Sequence, residues 1–351
     1  MRLGAPHAGR MTGRERVLCL MRGRPVDALP NMPITMMKAA DEIGVPYRTY
    51  AVDADAHARG QMAVSRSYGI DHVSGISDPA VEASDLGAAV IYREDAPPAI
   101  DDNEPLLRDT RRLLDLKIPD PWASPRMRKR IDVVARLKKG CGGEKAVEGW
   151  IEGPMAESCD LRGVSRIMMD FYDSPSFVRD LVAFVVEVEL AFARAQVEAG
   201  ADYVGMGDAA ASLIGPDHYR EFVWQAEKMC VRELHRMGVP VRLHICGNIT
   251  PLLEMIASVE ADLVDLDSMV SVQEAREKLG PGRCLAGNIN PVADLLNGTP
   301  DSIGRCLDSC FHAAGGTAYA VAAGCEVPRD TPARNLRAMA SFARTNRPSV
   351  S

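Results

Sequence analysis

No stretch of this sequence approaches the ~20 consecutive apolar residues that a membrane helix needs, although 46% of its residues are hydrophobic. A basic face is missing too. The net charge is −7, with Lys and Arg mixed among Asp and Glu along the chain. That argues against a nucleic-acid partner and leaves no basic amphipathic helix for a membrane surface. No apolar core follows the basic residues of "MRLGAPHAGRMTGRER", so the N-terminus does not read as a secretory signal, and a cytoplasmic location is the expectation. The nine cysteines are odd in number and thinly spread, which excludes a disulfide framework. In a reducing compartment most of them are small buried hydrophobes. There is no internal repeat and no low-complexity tract.

What the chain does have is alternation. Residues 1–12 read as a loose tail. A first helix follows, with Thr12 as its cap, Val17, Leu18 and Met21 as its apolar stripe and Gly23 as its stop. Then eight short apolar runs, at 29–36, 71–77, 145–151, 202–207, 240–246, 262–267, 283–289 and 318–324, alternate with amphipathic helical stretches. Strands separated by helices point to a parallel α/β fold, and eight is the number that closes a (β/α)8 barrel. Length alone allows two domains, but α/β barrels run this long as one. The expectation is a single (β/α)8 TIM barrel over residues 13–346. It carries an insertion between the second and third strands, at roughly 79–140, where "DAPPAIDDNEPL" is polar and Pro-rich.

Barrel enzymes build their sites where strands end. The strand ends here are Asp78, Glu152, Asp208, His244 with Cys246, Asp267, Asn288 with Asn290, and Cys325. His244 and Cys246, in "VRLHICGN", stand at i and i+2 on one strand, so both side chains point to the same face. A zinc ion takes His nitrogen at ~2.0 Å and Cys sulfur at ~2.3 Å, and a catalytic zinc takes three protein ligands and leaves a fourth position open. Cys325 is the third candidate, because the ends of the fifth and eighth strands of a closed barrel face the same mouth. Taken alone, an H-x-C pair is equally a buried histidine beside a buried thiol, and the spacing does not decide between the two.

The chain resembles the uroporphyrinogen decarboxylase superfamily over nearly its whole length. The resemblance rests on "RERVLCLMRGRPVDALP", "SDPAVEASDLGA", "EGPMAESCDLRG", "AGADYVGMGD", "CLAGNINP" and "AAGCEVPRDTPARNLRAM" taken together. Within it, "LHICGNIT" and "GCEVPRDTP" look like the zinc methyltransferase branch, the methylcobamide:coenzyme M type. That resemblance implies Zn2+ held by His244, Cys246 and Cys325, with methylcobalamin or a related corrinoid as co-substrate. It implies transfer of a methyl group to a thiol such as coenzyme M, or the reverse reading, demethylation of a methyl donor onto a corrinoid protein. The alternative is a metal-free porphyrinogen decarboxylase. Asp78 matches the decarboxylases' pyrrole-binding Asp and keeps that reading open. Against it, those enzymes carry an Arg-rich loop where this chain reads "ITMMKAADEIG", and a His where it has Cys325. A substrate with up to eight carboxylates needs several cations.

The site expected from these readings has His244, Cys246 and Cys325 as metal ligands, the same three with Asp78 as the catalytic residues, and Asp78, Asp208 and Asn288 as cofactor-binding candidates. Asp208 and Asp267 read equally as partners of His244 or as hydrogen-bond acceptors at the mouth. The pattern "DAHARG" at 55–60 fits the D-x-H-x-x-G of cobalamin-binding domains, but the domain that surrounds such a motif is absent. The expected partners are therefore a separate small corrinoid protein and a small methyl acceptor. The remaining histidines, 57, 72, 218, 235 and 312, read as surface or packing residues.

Overall fold

The computed structural model describes residues 10–348. Thr12 caps the helix Gly13–Met21 in a reciprocal capping box with Glu15, as its position ahead of the apolar stripe predicts. Residues 1–9 of the expected tail lie outside the described residues.

Among the described residues nine strands follow in chain order: β1 His72–Ser74, β2 Val90–Arg93, β3 Ala96–Ile100, β4 Ala146–Glu152, β5 Tyr203–Gly207, β6 Val241–Ile245, β7 Leu263–Leu266, β8 Cys284–Ala286 and β9 Tyr319–Ala320. Seven of them, β1-β4-β5-β6-β7-β8-β9, form one curled parallel sheet in sequence order, and β2 and β3 pair as a separate antiparallel hairpin. Every parallel connection contains a helix, as parallel pairing requires. The longest, Pro175–Glu198, starts with Pro at its first turn and buries Val178, Leu181, Val182, Val185 and Val188. That i, i+3, i+4, i+7 stripe seats it on β4 and on the helix Trp224–Arg236.

Seven of the eight apolar runs are strands of this sheet; the run at 29–36 is not. It makes ladder-like hydrogen bonds to both edges without being a strand. Met32 N donates to Val321 O at 2.7 Å, Val321 N to Pro30 O at 2.8 Å, and Asp71 N to Asn31 O at 2.9 Å. Pro30 and Pro33 have no N–H, so the run cannot sustain a regular ladder on either side. Side chains supplement it: Asp71 accepts from Asn31 N, and also takes Arg16 and Arg344 at 2.9 and 3.1 Å. The first and last helices of the fold are thereby pinned at the same carboxylate.

Between β1 and β4 lie the helix Val81–Leu86, the β2–β3 hairpin and the helix Pro125–Gly140. That last helix packs on the helix Ala54–Ser67 and on β4, the position of an ordinary crossover. No helix among the described residues is long and apolar enough to cross a membrane.

Candidate metal centre

Period-two geometry organises the interior of the sheet. On β6, Val241, Leu243 and Ile245 join the apolar core, while Arg242, His244 and Cys246 take the other face. Arg242 is fully buried. Its guanidinium reaches Asp265 on β7 at 2.6 Å and Glu148 on β4 at 3.3 Å. Glu148 in turn lies 3.5 Å from His72, whose Nδ1 also meets the Tyr203 hydroxyl at 2.8 Å. Thus His72 belongs to an interior charge network and not to ordinary packing. Buried charges persist only when paired and hydrogen-bonded, and this layer pairs them across four strands.

His244 continues the ladder. It is the register partner of Asp265, and its Nδ1 stands 3.3 Å from the Asp265 carboxylate. The other ring nitrogen, Nε2, is 3.0 Å from Cys246 Sγ. Cys246 Sγ is 3.7 Å from Cys325 Sγ. All three donor atoms lie within 4.8 Å of one another, and they are the one such His/Cys/Asp/Glu group among the described residues. Neither cysteine is in a disulfide.

Cys325 lies five residues after the end of β9. Its predecessor Gly324 is needed for space and not for a turn: a Cβ there would stand 2.3 Å from the backbone nitrogen of Ser268. That close approach brings the segment after β9 against the loop after β7, and Cys325 with it.

Electrostatics fit the grouping. Burial opposes charge on His244, but Asp265 and then Cys325 outweigh it and raise the imidazole to about 10. Contact with Cys246, and then the charge of His244, hold the Cys325 thiol down at about 4 against its burial. The same contact, together with burial, pushes Cys246 up.

A small cavity of about 130 Å³ opens beside the trio. Asp78, Trp150, Glu152 and Glu326 contribute to its wall, as do His244, Cys246 and Cys325. Asp78 is engaged on both oxygens by Arg126, at 2.7 and 2.6 Å. The Trp150 indole lies across Gly205 and Gly207 of β5, where added Cβ atoms would come within 2.4 and 2.7 Å of its ring. Its Nε1 donates to Glu152 at 3.0 Å. Burial, and then the nearby Glu82 carboxylate, hold Glu152 well above the usual carboxylate range.

Of the residues expected at the site, His244, Cys246, Cys325 and Asp78 share this cavity. Asp208 and Asn288 do not reach it. Asp208 is fully buried and accepts from Met155 N and Ala156 N at 3.3 and 2.7 Å, satisfying the start of the helix Pro154–Arg162. The Asn288 amide donates to Asp267 O and Val270 O at 2.8 and 2.6 Å. Asp267 itself accepts from Gly247 N and Met269 N, at 2.9 Å each, as a loop acceptor does. In "DAHARG", His57 is buried on the helix Ala54–Ser67 with both nitrogens engaged, by Ser74 O at 3.1 Å and Lys129 Nζ at 2.7 Å. It has no free nitrogen for a corrinoid.

The model for "Uroporphyrinogen decarboxylase (URO-D)" matches residues 12–346. The chain belongs to the uroporphyrinogen decarboxylase family. Among its relatives in that family, the methylcobamide:CoM methyltransferase MtbA of Methanosarcina mazei is 25% identical over 96% of this chain and 98% of its own. The uroporphyrinogen decarboxylase of Trichodesmium erythraeum is also 25% identical, over 93% of this chain and 95% of its own. A solved "methyltransferase from Methanosarcina mazei" superposes with a TM-score of 0.87 at 22% identity, covering 95% of this chain and 98% of that one. The family fold therefore extends over nearly the whole chain.

Sequence reading did not single out Arg242, Asp265, Glu148 or Arg126. The first two had a signal. Arg242 shares the parity of His244 and Cys246 in "VRLHIC", and Asp265 shares that of Asp267 in "DLVDLD". A charge at an interior parity of a buried strand calls for a partner.

Proposed function

We propose that this chain is a zinc-dependent methyltransferase that moves a methyl group between a corrinoid, carried on a separate protein, and a small thiol. The observation that carries this is the convergence of His244, Cys246 and Cys325 on one point beside a cavity. The relatives named methylcobamide:CoM methyltransferases support it.

The donor set fits zinc. Two thiolates at about 2.3 Å from one tetrahedral ion stand roughly 3.7 Å apart, and Cys246 and Cys325 stand 3.7 Å apart. His244 would offer Nε2, with Nδ1 turned to Asp265, the arrangement that fixes a ligating imidazole in one tautomer. Bound zinc supplies a Lewis acid that keeps a thiol sulfur deprotonated and nucleophilic at neutral pH. Two cysteine ligands keep that centre electron-rich, so the sulfur stays reactive. In the transfer, the thiolate sulfur forms a bond to the methyl carbon. The cobalt–carbon bond breaks with its electron pair left on cobalt, and the thiol proton leaves to water. The cavity holds a small thiol and is far too small for a corrin ring, so the corrinoid would approach from the mouth.

In this reading residues 13–346 form one closed barrel in which the segment at 30–34 takes the eighth place, and the insertion expected at roughly 79–140 narrows to the part before the helix Pro125–Gly140, which packs as a crossover does. Asp78 orders the mouth through Arg126 and meets substrate or corrinoid. The enzyme works in the cytoplasm.

Porphyrinogen decarboxylation is the second reading, favoured by Asp78 in the cavity wall. That wall contains no lysine or arginine to hold carboxylates. One experiment separates the two. Purified protein should hold about one zinc per chain, lose it in Cys246→Ala and Cys325→Ala, and demethylate methylcobalamin in the presence of a thiol, seen as a colour change. Full zinc occupancy in both variants, or carbon dioxide release from uroporphyrinogen without thiol methylation, would defeat the proposal.

A further inference from the structure

The cavity beside His244, Cys246 and Cys325 has carboxyl groups in its wall and, apart from His244 itself, no basic side chain. Asp78, Glu152 and Glu326 line it together with Ile34, Ile76 and Trp150, and no lysine or arginine is among the lining residues. Arg126 takes both oxygens of Asp78. Glu326 is held through Oε1 alone, by Met37 N at 2.8 Å, and is the chain neighbour of Cys325. Glu152 is likewise held through one oxygen, but it comes from β4, a different strand from the trio. Its Oε1 is held by the Trp150 indole at 3.0 Å. Its Oε2 has no hydrogen-bond partner among the described residues and lies over Gly207, itself part of the cavity wall.

We infer that the methyl acceptor is a small thiol whose other end carries a neutral or cationic hydrogen-bond donor, an amine or a hydroxyl, received by Glu152 Oε2, and not an anionic group. The inference rests on the methyltransferase reading of the site and names the acceptor class within it. The physical reason is the cost of an unmatched charge. An anion entering a small, largely apolar cavity gives up its hydration and must be repaid by a cation or by several donors. Here the Trp150 N–H is already committed, and a protonated Glu152 offers a single O–H, where a sulfonate has three oxygens to satisfy. A hydroxyl forms a neutral hydrogen bond to the same carboxyl, and an ammonium group forms a charge-assisted one when its binding expels the Glu152 proton, so that the charge it brings in is matched. Trp150 fixes the carboxyl on one side, so the free oxygen has a defined direction. Glycines 205 and 207 leave the room that the indole needs to do this.

The test uses three thiols of equal length that differ only at the far end: 2-aminoethanethiol, 2-mercaptoethanol and 2-mercaptoethanesulfonate. Each is assayed with free methylcobalamin as donor, and each is titrated calorimetrically into zinc-loaded protein without any methyl donor. The sulfurs differ in acidity, so the comparison is repeated in Glu152→Gln, which keeps the acceptor for Trp150 and removes the ionisable oxygen. The amine and hydroxyl thiols should bind wild type at least tenfold more tightly than the sulfonate, with the difference carried in KM. In Glu152→Gln the preference for the amine over the sulfonate should narrow by tenfold or more. The wild-type ranking stands whether or not the variant folds. Equal or tighter binding of the sulfonate would overturn the inference while leaving thiol methylation intact. Failure of every thiol to bind or accept a methyl group would instead remove the methyltransferase reading, and this inference with it.

Discussion

Nδ1 of His244 stands 3.3 Å from Oδ2 of Asp265, the residue opposite it on the neighbouring strand. The same oxygen is 2.6 Å from the Arg242 guanidinium. Register makes this contact, because parallel strands put His244 and Asp265 side by side on one face. Arg242, two residues earlier on β6, keeps the carboxylate ionised: Asp265 is fully buried, and the charges of Arg242 and then His244 hold it below its ordinary range in spite of that burial.

Asp265→Asn should therefore weaken metal binding without removing a ligand. The expected loss is on the order of 10- to 100-fold in zinc affinity, the usual effect of deleting the carboxylate behind a ligating imidazole. Competition against a chelator measures it. An unchanged affinity would mean that Asp265 serves Arg242 alone.

Arg242→Met should destabilise the fold by about 3–5 kcal/mol, the cost of breaking a buried ion pair from one side. It removes the guanidinium that pairs with both Asp265 and Glu148. Urea unfolding of the metal-free protein reads the effect directly. A loss under about 1 kcal/mol would show that the two carboxylates take up protons and tolerate its absence.

Gly205→Ala should displace the Trp150 indole, since the new Cβ would sit 2.4 Å from its ring. Overpacking of this kind costs about 1–3 kcal/mol. With only three tryptophans in the chain, a shift of intrinsic fluorescence reports the movement. An unchanged spectrum with unchanged stability would contradict the contact.

Asp208 gives a pH prediction. Burial raises its folded pKa from 3.8 to about 6, beside Glu227 and against the two backbone N–H groups that favour its ionised form. A raised folded pKa contributes stability that is fully present below about pH 3.8 and is lost as the pH rises through about 6. Asp208→Asn keeps an acceptor for the helix start and removes the titration. Its stability relative to wild type should rise by about 2–3 kcal/mol between pH 4 and 6.5. Parallel pH profiles of the two melting temperatures would refute this.

Much of the site was legible one strand at a time. The i, i+2 spacing of His244 and Cys246 states a shared face without any fold. Gly324 before Cys325 has a reason that lies outside its own strand, the closeness of Ser268. Asp208 and Asn288 stand at strand ends, and a strand-end position says nothing about which way a short polar side chain turns. Both turn to backbone groups of neighbouring loops, which lie far away in sequence.

What the sequence determined by itself is local: the alternation of apolar runs and amphipathic helices, the caps, and the parity that puts Arg242, His244 and Cys246 on one face. Each follows from rules that act within a few residues. Tertiary structure decided what parity cannot. The run at 29–36 is apolar enough for a strand, yet it became a hydrogen-bonded link between two sheet edges, because Pro30 and Pro33 deny it a ladder. Only register set His244 beside Asp265. And only the curl of the sheet brought Cys325, 79 residues away in the chain, to 3.7 Å from Cys246. A contact at that separation depends on every strand between the two, and no local rule contains it.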